Sequence, residues 1–227
     1  MTRFLALACA VAHAREHANG RILFGSCNKH DRSQPLWPAI AAREPQAWIW
    51  GGDIVYGDRM VRLFPSPKFE SLGVDYLRAA YAAQNANPAY RAAVAGVPVI
   101  ATWDDHDFGL NDADGSLPFR EASRRVFLDA MNVTVPDGRA GVYSARTVSV
   151  AGGRVLVLAL DLRYNKTPYA GRAGAGDFLG EAQWAWLEAE VGHADADAIV
   201  VVSSPPARKP FEPMRVSRYL PTRAFPE

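Results

Sequence analysis

Cysteine is nearly missing from this sequence: two occur in 227 residues, at positions 9 and 27. A disulfide scaffold is therefore excluded. A surplus of charge is missing too. Lysines and arginines number 25 against 24 carboxylates, a formal net charge of +1. No long-range field recruits nucleic acid or an anionic membrane surface, so nucleic-acid readout is not expected. No apolar run is long enough to span a bilayer, and no segment repeats or falls into low complexity. The G-x-S-x-G elbow of a serine α/β hydrolase is also absent. What remains is ordinary globular material, 49% hydrophobic and 22% charged. A chain of this length buries roughly 70–75% of its unfolded surface, enough for one sizeable core.

The ends differ from the middle. "MTRFLALACAVAHA" places Arg3 before an apolar stretch from Phe4 to Ala12, and Ala12-His13-Ala14 forms an A-x-A pattern. This reads as a secretory signal over residues 1–14, with a buried N-terminal strand or helix as the competing reading. Sequons at Asn132 and Asn165 fit a secreted chain. Removing the signal takes Cys9 with it and leaves Cys27 as a lone thiol: a small buried hydrophobe, an intermolecular partner or a ligand. Residues 205–227 are proline-rich and basic without a usable period. A layered domain rarely stops directly after a central strand, so the expectation is a domain over 15–204 whose C-terminal part is missing.

Between these ends, short apolar strands alternate with helices. Strand-like runs are "RILFG", "AWIWGGD", "VPVIATW", "GVYSARTVSV", "GRVLVLALD" and "DAIVVVSS". Helical spacing marks 33–43, 75–96 with a break at Pro88, 119–131 and 180–191. Trp184, Leu187 and Val191 share one face of the last helix. Residues 57–70 read as irregular. Ala151-Gly152-Gly153 signals a hairpin. The pattern predicts an α/β fold: mixed sheets covered by helices.

Three strands end in chemically capable residues. The first leads into "GSCNKHD" with Cys27, the second into "GGDIVYGD" with Asp53 and Tyr56, the third into "WDDHDFGLND" with Asp105, His106 and Asn111. Carboxyl ends of strands form the ligand crevice of open α/β sheets. Each group has a plain alternative: Asp53 as a turn cap, Tyr56 as a half-buried aromatic, the acidic run as a solvated loop. A shared strand-tip context favours a metal site.

Taken together, "GSC", "GGDIVYGD", "WDDHDFGLND", "LALDLRY" and "FLGEAQWAWLE" resemble successive motifs of the PhoD-like phosphatases (alkaline phosphatase D type), a branch of the calcineurin-like metallophosphatases. The resemblance runs from about Arg21 to Ser204. It implies an α/β/β/α sandwich holding two metal ions, ferric iron (Fe3+) and calcium (Ca2+). By that resemblance Cys27 and Tyr56 ligate the iron, Asp53 bridges the metals, and Asn111 binds the second. Asp105 and His106 fall at the catalytic carboxylate and histidine, and Arg163 in "LDLRY" is a candidate phosphate clamp, with a surface arginine paired to a nearby acid as its alternative.

The residue types make sense of such chemistry. Thiolate and phenolate offset the charge of a trivalent iron, while Asp and Asn oxygens suit Ca2+. A cation pair acidifies water, so the implied activity is phosphodiester or phosphomonoester hydrolysis by metal-bound hydroxide. The resemblance stops short of the family's later histidine motif, S-G-D-x-H. Beyond His106 the sequence has only His193, at the end of a helix. Two expectations follow: an exposed, aggregation-prone edge along "AIVVVSS", and weak metal binding or poor folding. The rival reading is a non-catalytic relative kept for Ca2+ binding or protein interaction.

Overall fold

The computed structural model describes residues 20–136, 138–168 and 176–204. The expected signal over 1–14 and the tail over 205–227 lie outside these residues.

Side-chain alternation along two strands dictates the layering. In β2 (Ala47–Gly51), Ala47 and Ile49 point to one face, Trp48 and Trp50 to the other, and all four are buried. A strand buried on both faces needs cover on both sides. β1 (Ile22–Gly25) and β5 (Val99–Thr102) pair with it in parallel, in the order β1-β2-β5. β7 (Gly153–Ala159) alternates likewise. It pairs antiparallel with β6 (Ser144–Val150) across the expected glycine hairpin and parallel with β8 (Ala198–Val202).

Ala47, Ile49 and Ile100 of the first sheet pack on Val148, Val157 and Ala159 of the second, so the sheets lie face to face. The opposite face of the first sheet, with Trp48, Trp50 and Ala101, lies under α1 (Trp37–Ala41), α2 (Val74–Ala86), α3 (Pro88–Ala93) and α5 (Arg120–Met131). Leu156 and Leu158 on the far face of the second sheet are covered by α6 (Glu181–Gly192) through Leu187, Trp184 and Val191. The result is the expected α/β/β/α sandwich. Its densest knot is aromatic: Trp37 stands edge-on to Trp48 and Trp50, at 5.2 and 5.5 Å between ring centroids. Trp50 donates its indole N–H to the Tyr90 hydroxyl at 3.2 Å.

One expectation is corrected. Residues 57–70 are not irregular throughout, because β3 (Asp58–Arg62) and β4 (Lys68–Ser71) form an antiparallel hairpin. Its strands show no apolar alternation because the hairpin does not cover the core. Met60, Val61, Leu63 and Phe64 are exposed, and the hairpin is tied down by polar contacts at the Asp58 end. At the expected edge, β8 pairs only with β7 among the described residues, and Ile199 and Val201 are 39% and 52% exposed.

Candidate metal centre

All strands of the first sheet run parallel, so their C-terminal tips meet at one edge. There the backbone turns abruptly. Cys27 and Asp53 adopt φ of 54° and 50°, a left-handed conformation that costs most residues energy. Gly52 between β2 and Asp53 has φ 101°, and a Cβ there would lie 2.7 Å from that of Asp104. Glycine is required at this close approach. After β5 the chain enters α4 (Asp105–Phe108), so the acidic run is a partly buried helical turn rather than a solvated loop. Asp107 is fully buried. Its carboxylate accepts from Asp104 N at 2.6 Å and Ile54 N at 2.9 Å, stapling the second tip to the third.

Candidate ligand atoms of Asp53, Asp105 and His106 all lie within 4.8 Å of one another. Cys27 Sγ is 3.5 Å from Asp53 Oδ2. The thiol is exposed, which removes the reading of a buried hydrophobe. Asp53 Oδ1 is buried with no hydrogen-bond partner. Burial, then the charges of Asp105 and Asp104, push the Asp53 carboxyl up to about 6. Burial, then the Asp53 charge, also raises the Tyr56 hydroxyl. The residue is exposed overall, but partial desolvation of its sulfur comes first in raising the Cys27 thiol, with Asp53 adding to the rise. Thiol, phenol and carboxyl groups whose charged forms are disfavoured here, crowded together with an orphaned carboxylate oxygen, are a donor set that a cation would stabilise in its anionic form. A cation fits here.

Tyr56 stacks on His106 with ring centroids 4.2 Å apart, and Lys29 Nζ sits 2.9 Å above the Tyr56 ring. His106 Nδ1 lies 2.7 Å from Asp58 Oδ1. Donation to a carboxylate puts the proton on Nδ1 and leaves Nε2 as the ring's free atom. Burial works against charge on this imidazole, but the Asp58 hydrogen bond and the charges of Asp105 and Asp58 outweigh it, so its pKa is raised.

The sequence reading missed Asp58. The signal was the second acid of "GGDIVYGD", five residues after Asp53. Its other oxygen accepts Asn111 N at 2.7 Å, which fixes Asn111 beside the dyad, while the Asn111 amide nitrogen donates to Asp112 at 2.9 Å. Asp105 accepts from His106 N and Asp112 N, closing the loop around it.

Arg163 reaches the centre from the second sheet. It is buried, so the surface alternative falls, although its partners are indeed acids. Nε lies 2.6 Å and Nη2 2.5 Å from Asp104 Oδ1. Nη2 is also 3.7 Å from Asp105, and Nη1 donates to Ala113 O. Asp161 positions this arginine by accepting from its main-chain N–H at 2.9 Å. The structure thus gathers Cys27, Asp53, Tyr56, Asp105 and His106. Arg163 backs the acids and Asn111 stands alongside.

The chain matches the PhoD-like phosphatase family model over residues 22–209. It is similar in fold to a solved structure described as the structure of PhoD, with a TM-score of 0.62 and 20% sequence identity. The match covers 79% of this chain and 40% of that one, so the chain spans well under half of that protein's length. No curated protein matches it in sequence.

Proposed function

Because this chain belongs to the PhoD-like phosphatase family, we propose that it is a metal-dependent phosphoesterase, acting on phosphate mono- or diesters where β1, β2 and β5 end. The family supports a phosphatase-type function in general. The observation that carries the finer reading is Asp53: a buried carboxylate, one oxygen unpartnered, held against further acids. Folding would not select that cluster for stability, and a cation relieves it.

In this reading Asp53 and Asp105 hold the metals, with Cys27 and Tyr56 as anionic donors to ferric iron and Asn111 to calcium. When bound, the cations supply positive charge for the phosphoryl oxygens and a water acidic enough to attack near neutral pH. The remaining steps belong to the chain. His106 has committed Nδ1 to Asp58, so Nε2 carries the proton given to the departing alcohol oxygen. Asp58 orients the ring and keeps it protonated at higher pH. Arg163, expected to clamp phosphate, acts mainly through Asp104 and Asp105, fixing their geometry against mutual repulsion.

The test is hydrolysis of p-nitrophenyl phosphate and bis-p-nitrophenyl phosphate by the purified chain. Chelation should remove activity, and iron with Ca2+ should restore it. Activity indifferent to chelator and to Asp53→Asn would refute the reading.

A further inference from the structure

Next to the metal centre, the segment that follows β1 borders a groove of about 350 Å³. Its lining is mixed in character. Cys27 and Lys29 adjoin the centre through Asp53 and Tyr56, and Arg32, Leu36, Trp37 and Trp48 also line the groove, the last three apolar. We propose that this groove takes the alcohol portion of the phosphate ester, and that the preferred substituent is a planar aromatic ring bearing a further acidic group. The inference rests on the phosphoesterase reading and adds its substrate class.

Four observations support it. The groove is continuous with the chemistry, because Cys27 both lines it and lies 3.5 Å from Asp53 Oδ2. Its size suits the occupant, since a cavity of about 150 Å³ admits one benzene ring. Its wall is unusually apolar for open surface: Leu36 is 69% exposed beside buried Trp37 and Trp48. Trp48 also keeps a buried indole N–H with no partner among the described residues. Finally, Arg32 is exposed and in no ion pair among the described residues, while the Lys29 ammonium lies over the face of Tyr56 within the field of Asp53 and Asp31. Apolar walls with a few placed polar groups are the usual make-up of a small-molecule site. An exposed guanidinium with no ion pair among the described residues, Arg32, asks for a second negative charge on the ligand.

A second groove, of about 380 Å³, lies beside the end of α6 and is lined by Arg154, His193 and Asp195 among others. There Arg154 already pairs with Asp195, and the groove shares no residue with the metal centre. It offers no comparable argument.

The experiment measures binding of three non-hydrolysable ligands to the Ca2+-loaded chain by calorimetry: methylphosphonate, phenylphosphonate and 4-carboxyphenylphosphonate. Affinity should rise in that order, by about tenfold or more from first to last. Leu36→Ala should collapse the phenyl-to-methyl ratio, and Arg32→Gln should remove the gain from the carboxylate. Both residues are exposed, so neither change threatens folding. Equal affinities for the three ligands, or ratios unmoved by both variants, would overturn the proposal. Graded binding without hydrolysis of any ester sustains the groove and sinks the phosphoesterase reading. Hydrolysis with no preference among aryl and alkyl esters does the opposite.

Discussion

Replacing Asp53 by asparagine should stabilise the metal-free protein while destroying its response to metal. Asp53 is 7% exposed, and burial beside Asp105 and Asp104 moves its carboxyl from 3.8 to about 6. A folded-state value above the unfolded one means that the charged form is disfavoured on folding. The stability linked to this group is present in full below pH ~4 and is lost as pH rises through ~6. Two pH units correspond to about 3 kcal/mol at pH 8. The substituted amide carries no charge, and asparagine tolerates the left-handed φ of 50° found at this position. At roughly 2–4 °C per kcal/mol for a chain of this size, the variant should melt about 6–12 °C above the wild type at pH 8 in chelator. The difference should vanish at pH 4. The lost contact with Cys27 Sγ makes the upper figure a ceiling. Adding a cation at about one hundred times its dissociation constant should raise the wild type by about 2.7 kcal/mol and leave Asp53→Asn nearly unmoved. Melting curves by circular dichroism across pH decide the matter. A variant less stable than wild type in chelator at pH 8, or one with an intact cation response, would show that Asp53 is not held in an unfavourable charged state awaiting a cation.

Other perturbations probe the surrounding residues. Arg163→Met leaves Asp104 and Asp105 without their buried counter-charge and should cost about 3–5 kcal/mol, read as a melting temperature lower by roughly 6–20 °C. Asp58→Asn removes the group that holds the His106 pKa up, so the alkaline limb of the kcat–pH profile should move to lower pH; a limb that stays in place denies His106 the proton-donor role. Tyr56→Phe should bleach the visible phenolate-to-iron absorption of the iron-loaded protein, whereas an unchanged spectrum removes Tyr56 from the ligand set. Asp107→Ala strips acceptors from Ile54 N and Asp104 N and should destabilise by about 2–4 kcal/mol, seen as reduced urea resistance.

What the sequence made legible were features written within one element. Trp48 and Trp50 against Ala47 and Ile49 show a strand covered on both sides. Glycines at the ends of β1 and β2 show where strands stop and capable side chains begin, which placed Cys27 and Asp53 correctly at strand tips. Pairings between distant segments were harder to see. Asp58 meets His106 across 48 residues, and Arg163 meets Asp104 across 59. Neither spacing leaves a periodic trace. The β3–β4 hairpin escaped notice for a related reason, since its strands answer to a carboxylate at one end rather than to an apolar face. The groove beside Cys27 is likewise assembled from residues that read separately as a strand tip, a short helix and a neighbouring strand.

If the tips of β1, β2 and β5 form one cation site organised by Asp53, metal content should follow the donor set. Equilibrium dialysis of the purified chain against iron and calcium, followed by elemental analysis, measures this beside Asp53→Asn and Cys27→Ser. Bound metal is expected in the wild type, little in Asp53→Asn, and a selective loss of iron in Cys27→Ser. Equal metal content in all three proteins, or none in a folded wild type, would mean that the strand tips do not make a cation site.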